Sequence, residues 1–232
     1  MIIGLTGKKG SGKTLVCDTM LQSKGFEHYG EYSLASPIKN IVNTLFGWSE
    51  AHSVGELKER EVRADYCAGS FNRAYALICH YDLESFSVNG GMSNVDIIIR
   101  LCSKFERTVT TPRKVYQWFG TELCRDNLDK DIWLKLVPKN IENLIISDVR
   151  FDNEATYITK QLGGVIVEII NNDRDEIIDD HSSESGISEP LKNIIFEAKL
   201  GLKDIWVYES SYNLLEEPAR CYKEIIKKLS EL

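Results

Sequence analysis

Apolar residues recur along this chain with two periods, and the points where the period changes mark out the elements. Met1-Ile2-Ile3-Gly4-Leu5-Thr6 is a nearly unbroken apolar run, the pattern of a short buried strand. Leu15, Val16, Cys17, Met20 and Leu21 then recur at helical spacing. A second strand is predicted over 29–34. Ile38, Ile41, Val42, Leu45 and Phe46 follow as a helix that stops at Gly47. From about residue 49 to 132, helical pieces alternate with polar turns and no strand pattern stands out. The piece from 69 to 94 is the least legible, with Gly90-Gly91 as a loop signal.

Strand character returns at Leu144-Ile145-Ile146-Ser147-Asp148-Val149-Arg150, an apolar run closed by charged residues. A helix is predicted over 153–162, with Ala155, Ile158 and Leu162 on one face, ended by Gly163-Gly164. Residues 165–170 read as another buried strand. A polar stretch, 171–189, precedes the apolar residues 191–198, a last strand over 204–208 and a closing helix from about 215 to 229. This βαβ rhythm predicts an α/β fold, a parallel sheet covered by helices on both faces, with 49–132 as a mostly helical insertion. At 232 residues, one domain of that kind accounts for the whole chain.

The turn between the first strand and the first helix carries the chemistry. Gly7-Lys8-Lys9-Gly10-Ser11-Gly12-Lys13-Thr14 has the full spacing of a phosphate-binding loop. A strand that passes through such a turn into a helix aims successive backbone N–H groups at one point, where the helix N-terminus adds partial positive charge. Gly7, Gly10, Ser11, Gly12, Lys13 and Thr14 would hold a nucleoside triphosphate. Lys13 would reach the β- and γ-phosphates, and the Thr14 hydroxyl would sit on Mg²⁺. The fold class is therefore a P-loop NTPase, with ATP and Mg²⁺ as the implied cofactors.

Asp148 and Arg150 stand at a strand end, where ligands gather in open α/β sheets. The aspartate would bear on the Mg²⁺ shell or on an acceptor group; a solvated carboxylate is its plain alternative. Arg150 suits a two-pronged grip on a phosphate, against a salt bridge with Asp148, Asp152 or Glu154. In Thr111–Arg125, a helix after Pro112 would put Arg113, Gln117 and Gly120-Thr121 along one side, offering a cation, an amide and a hydroxyl. An exposed polar helix face would give the same spacing. Trp133 by itself reads as core.

A net charge of −7 argues against a protein whose task is coating nucleic acid. The six cysteines show neither CxxC pairing nor zinc spacing, so they read as small buried hydrophobes of a chain in a reducing cytoplasm. No secretion signal and no apolar run of membrane-spanning length is visible.

Together these segments resemble the deoxynucleoside monophosphate kinases of tailed bacteriophages. The matching pieces are the loop at 7–14, Leu34-Ala35-Ser36-Pro37-Ile38-Lys39, and Thr111-Pro112-Arg113 with Gln117 and Gly120-Thr121-Glu122. Ile132-Trp133, the run Ser147-Asp148-Val149-Arg150-Phe151-Asp152-Asn153-Glu154-Ala155 and His181-Ser182-Ser183-Glu184 complete the set. The resemblance implies a nucleoside monophosphate kinase-like fold, found in the host cytoplasm, that moves the ATP γ-phosphate to a deoxynucleoside monophosphate. It also implies that Lys39, Arg113, Gln117, Gly120, Thr121, Trp133, Asp148, Arg150 and Glu154 line the acceptor site. Gln117 and Trp133 would address the base, and Arg113 and Arg150 the phosphate, with Lys13, Asp148 and Arg150 serving the transfer itself. Two positions depart from the family pattern: Thr14, where many members carry an acid, and Asp152, in the place of a proline.

Residues 171–189, with Arg174 and His181, are a candidate lid that would exclude water, against a surface loop with no catalytic part. Residues 69–95 match nothing in the family pattern, and a contact between two copies of the chain is the reading left for them. The rival readings are a dephospho-coenzyme A kinase, whose opening strand and loop look much like Gly4-Leu5-Thr6-Gly7, and an ATPase or GTPase switch without an acceptor. No Asn-Lys-x-Asp element supports the GTPase version.

Overall fold

The structure, a computed structural model, describes residues 1–87, 91–139, 141–171, 186–188 and the backbone of 195–200. The predicted strand at 204–208, the helix at 215–229, Cys221, and Arg174 and His181 with most of the lid segment lie outside the described residues. The chain forms two compact units. One comprises Met1–Leu34 with Pro138–Leu232, the other Ala35–Val137.

The first unit is built on a parallel sheet. Its described strands are β1 (Ile2–Thr6), β2 (Gly30–Tyr32), β5 (Leu144–Ile146), β6 (Val165–Asn171) and β7 (Ile195–Leu200), in the order β2-β5-β1-β6-β7. All neighbours run parallel, so the strands' C-terminal ends share one edge. β1 lies between β5 and β6, and alternate residues take opposite faces. Ile3 and Leu5 pack with Val16, Cys17 and Met20 of helix α1 (Lys13–Leu21), together with Phe26, Ile145, Val167 and Ile169. Gly4 faces the other way. A Cβ there would lie 2.6 Å from the Ile166 side chain and 3.0 Å from those of Ile158 and Val149. Ile158 belongs to the π-helical stretch Tyr157–Gln161 that continues helix α7 (Asp152–Thr156). The expected cover on both faces is therefore present, with α1 and α7 on opposite sides.

The second unit contains helices α2 (Ser36–Phe46), α3 (Ala68–His80), α4 (Asn94–Phe105), α5 (Pro112–Gln117) and α6 (Ile132–Lys135). α2 starts with Pro37 in its first turn and ends on Gly47, whose φ of 67° suits a glycine after a helix. At the start of α4, Ser93 Oγ accepts from the Asp96 N–H, and Asp96 accepts from the Ser93 N–H. Contrary to the sequence reading, this unit also holds strands. β3 (Val62–Ala64) and β4 (Thr108–Thr110) pair antiparallel. Each is three residues long, and Val109 is exposed, so neither leaves the alternation from which a strand is read.

Contact across the sheet yields a stability test. A Cβ on Gly164 would lie 2.6 Å from the Ile2 backbone oxygen, whereas one on the edge-strand residue Gly30 meets nothing closer than 3.7 Å. We expect Gly164→Ala to cost about 1–3 kcal/mol, as overpacking against an immovable atom does, and Gly30→Ala to stay within about 0.5 kcal/mol. Denaturant unfolding of the two variants checks the contrast.

Candidate active site

The loop after β1 is shaped by three left-handed glycines, Gly7, Gly10 and Gly12, with φ of 139°, 78° and 93°. At Gly7 conformation and space agree: a Cβ would come within 2.4 Å of the Ile169 backbone oxygen on β6. The loop is thus pressed against the neighbouring strand and can carry no side chain there. The Ser11 N–H donates to the Lys8 carbonyl at 3.1 Å, and the Val16 N–H to that of Gly12 at 3.0 Å, which starts α1. The Lys13 ammonium folds over the loop and donates to the carbonyls of Gly7 (2.5 Å) and Lys8 (2.9 Å). Ser11 is buried, and its hydroxyl has no hydrogen-bond partner among the described residues. Thr14 is exposed.

Beyond β5 the backbone turns, and two carboxylates there hold backbone. Asp148 Oδ1 accepts from the Leu34 N–H and Oδ2 from the Ser33 hydroxyl, both at 2.7 Å. This ties the end of β5 to the end of β2. Its charge also reaches α1: the Cys17 thiol is pushed up to about 12, chiefly by burial, then by Glu31 and Asp18, with Asp148 contributing. Cys124 is raised by burial alone, so both thiols stay protonated at neutral pH. Glu154 is 3% exposed, and its Oε2 accepts from the N–H groups of Arg150 (2.7 Å) and Phe151 (3.1 Å). The Arg150 backbone is therefore gripped by a carboxylate one helical turn further on, while its side chain is half-buried. Asp152, in the departing position, accepts from the Ser188 N–H at 2.8 Å.

In the second unit, Thr111 Oγ1 accepts from the Lys114 N–H at 3.3 Å and Pro112 opens α5. α5 continues from Trp118 to Arg125 with π-helical turns, wider than the α-spacing assumed from sequence. Arg113 is buried, and its guanidinium pairs with Glu59 at 3.3 Å. The Gln117 side-chain nitrogen is buried without a hydrogen-bond partner among the described residues. Gly120 serves close packing, since a Cβ would fall 2.6 Å from Ile38 of α2. Its carbonyl accepts the Trp133 indole N–H at 2.9 Å; Trp133 is only 2% exposed and packs near Phe119. Thr121 is buried, and Lys39 is half-buried on α2.

The structure thus groups the loop residues with Asp148, Arg150 and Glu154 in the first unit. Lys39, Arg113, Gln117, Gly120, Thr121 and Trp133 fall in the second. Glu59 and a hydrogen-bonded group around Tyr116 escaped the sequence reading. The Tyr116 hydroxyl donates to Asn43 Oδ1 at 2.6 Å, and the Asn43 amide to Ser53 Oγ at 3.0 Å, which steadies α5 beside Gln117. Glu59 stands in the charged run Glu56-Leu57-Lys58-Glu59-Arg60-Glu61, where nothing local distinguishes it.

Comparison with known proteins supplies the chemistry. A family profile described as deoxynucleotide monophosphate kinase matches residues 66–206, well over half of the chain. The chain belongs to the deoxynucleotide monophosphate kinase family. It is similar to a putative deoxynucleotide monophosphate kinase of Acanthamoeba polyphaga mimivirus, 31% identical over 202 residues, 79% of this chain and 80% of the relative. It is also similar to the deoxynucleoside-5′-monophosphate kinase of Escherichia phage T5, 26% identical over 226 residues, 85% and 88% of the two chains. The protein is accordingly an ATP-using phosphotransferase of that family, with a P-loop kinase fold. Among the described residues no helix is long and apolar enough to cross a membrane.

Substitutions at two positions separate packing from site chemistry. Glu154→Ala removes the acceptor for two part-buried N–H groups and should cost about 1–3 kcal/mol, whereas Glu154→Gln, which keeps an acceptor oxygen, should cost about half as much. Ser11→Ala deletes a buried hydroxyl with no partner, so stability should hold or rise by up to about 1 kcal/mol while KM for ATP rises. Thermal unfolding and ATP-dependent kinetics read both.

Proposed function

We propose that the protein transfers the γ-phosphate of ATP to a deoxynucleoside 5′-monophosphate, and that the residues above divide between the two nucleotides. The observation that carries this is the phosphate loop. Its left-handed glycines, the absence of room for a Cβ at Gly7 and the unpartnered Ser11 hydroxyl together form a cradle fitted to an oligophosphate. Lys13, now on two loop carbonyls, has the reach to exchange them for phosphate oxygens.

Mg²⁺ fits the same place. No group of three or more His, Cys, Asp or Glu with metal-site geometry occurs among the described residues. The cation would be held mainly by water and substrate phosphates, with the exposed Thr14 hydroxyl as one protein ligand. When bound, Mg²⁺ neutralises charge on the β- and γ-phosphates.

The acceptor is a phosphate oxygen, already deprotonated near neutral pH, so no strong general base is required. The protein's work is to position two anions and to offset their mutual repulsion. Lys13, Arg113 and Arg150 supply positive charge. Asp148 and Glu154 set the backbone that carries Arg150. Gln117, with a buried amide nitrogen to satisfy, is the group suited to a base edge. Thr121 and Lys39 complete the acceptor set. Gly120 and Trp133 act beneath it, the glycine by allowing α2 to approach and the indole by anchoring the Gly120 carbonyl.

The assay is ADP release from Mg-ATP with each common deoxynucleoside monophosphate, the ribonucleotide counterparts and dephospho-coenzyme A. Turnover confined to deoxynucleotides is expected. Turnover with the coenzyme precursor alone, or release indifferent to acceptor, would overturn the proposal. Lys13→Ala should abolish transfer in a folded protein. Arg150→Ala should lower kcat/KM on the order of 10³-fold, the scale of an arginine serving a phosphoryl transition state. A loss under about tenfold, worth ~1.4 kcal/mol, would make it a structural residue.

A further inference from the structure

Three side chains from three elements of the second unit close a ring of hydrogen bonds. Tyr116, in the last turn of α5, donates to Asn43 Oδ1 of α2 at 2.6 Å. The Asn43 amide donates to Ser53 Oγ at 3.0 Å, and Ser53 ends the short turn Glu50–Ser53. Ser53 Oγ and the Tyr116 hydroxyl oxygen lie 3.2 Å apart. A phenol has a single proton to give, and that of Tyr116 goes to Asn43, so the serine donates to the tyrosine. Burial pushes the Tyr116 phenol above its ordinary value, which keeps its proton in place at neutral pH. Each member thus donates once and accepts once in the same sense, an arrangement in which hydrogen bonds polarise one another. Trp48 packs edge-on to the Tyr116 ring, with centroids 6.4 Å apart.

The ring closes where α5 needs an anchor. The α-helical part of α5 ends at Gln117, and the π-helical turns begin at Trp118, whose N–H is divided between the carbonyls of Lys114 and Val115. At such a junction the regular α-repeat no longer dictates where a side chain is aimed. Gln117 stands there with a buried amide nitrogen that has no hydrogen-bond partner among the described residues. We propose that Tyr116 is a positioning residue: through the ring it fixes the rotation of α5 at this junction, and so the aim of the Gln117 amide at the acceptor nucleotide. The proposal rests on Gln117 meeting the acceptor's base, as argued above.

The test is Y116F, which keeps the aromatic ring and removes the hydroxyl that ties α5 to α2 and to Ser53. KM for the deoxynucleoside monophosphate should rise about three- to tenfold, the scale of one lost hydrogen bond, with kcat and KM for ATP within about twofold of the parent. A tyrosine that merely supported the fold would, when lost, lower kcat through the folded fraction and leave both KM values in place. S53A leaves Tyr116 bonded to Asn43 and should raise the same KM less than Y116F does. Adding S53A to Y116F should change it by less than about twofold, because α5 is already released. Adding Y116F to Q117A should also change it by less than about twofold. An unchanged KM in Y116F, or a full further rise on the Q117A background, would overturn the role of Tyr116. Q117A alone separates the two claims. If Q117A raises KM and Y116F does not, the ring fails and the acceptor assignment of Gln117 stands. If Q117A leaves KM unchanged, that assignment fails, and the proposal with it.

Discussion

The close fit around β1 is the constraint on which the first unit depends. This strand is sandwiched between β5 and β6 with no side chain at Gly4 and none at Gly7. The missing Cβ at Gly4 lets α7 press against one face, while Ile3 and Leu5 fill the other against α1. The missing Cβ at Gly7 lets the phosphate loop lie directly on the end of β6. Interiors packed at crystal-like density do not absorb an extra methyl group, so these contacts fix where the loop's N–H groups point.

From that strand the site extends through carboxylates that act on backbone. Asp148 binds Ser33 and the Leu34 N–H, and so holds the end of β2, the last strand before the chain enters the second unit. Glu154 binds the N–H groups of Arg150 and Phe151. In both cases a carboxylate that the sequence analysis singled out holds backbone. Their charge is offset by N–H dipoles, and the arginines remain in the geometry those dipoles impose. Arg113 shows the same economy in the second unit, with Glu59 as its partner.

Most of the fold could be read from the chain. The strands at β1, β5 and β6 are buried runs of Ile, Val and Leu, and α2 is an apolar stripe closed by Gly47, because these elements meet the same environment along their length. β3 and β4 were not legible: three residues with one exposed face leave too little pattern. The π-helical turns at Trp118–Arg125 were equally hidden, since a shift from the α-repeat depends on what the helix packs against. Nor does spacing show that Gly120 faces Ile38 of α2.

The sequence by itself determined the loop after β1. Gly7, Gly10 and Gly12 act through backbone conformation and Lys13 through contacts to neighbouring carbonyls, and both are local. Tertiary structure decided which polar residues are available to a ligand and which are already spent. Trp133, which reads as core by itself and which the resemblance sets at the base, is 2% exposed and bonded to the Gly120 carbonyl. Glu59 is one acid among several in a charged run until folding sets it on Arg113, 54 residues away. The physical reason is range. Phosphate cradles are made by consecutive residues, whereas the neutralisation of a buried charge depends on whatever the fold brings within a few ångströms.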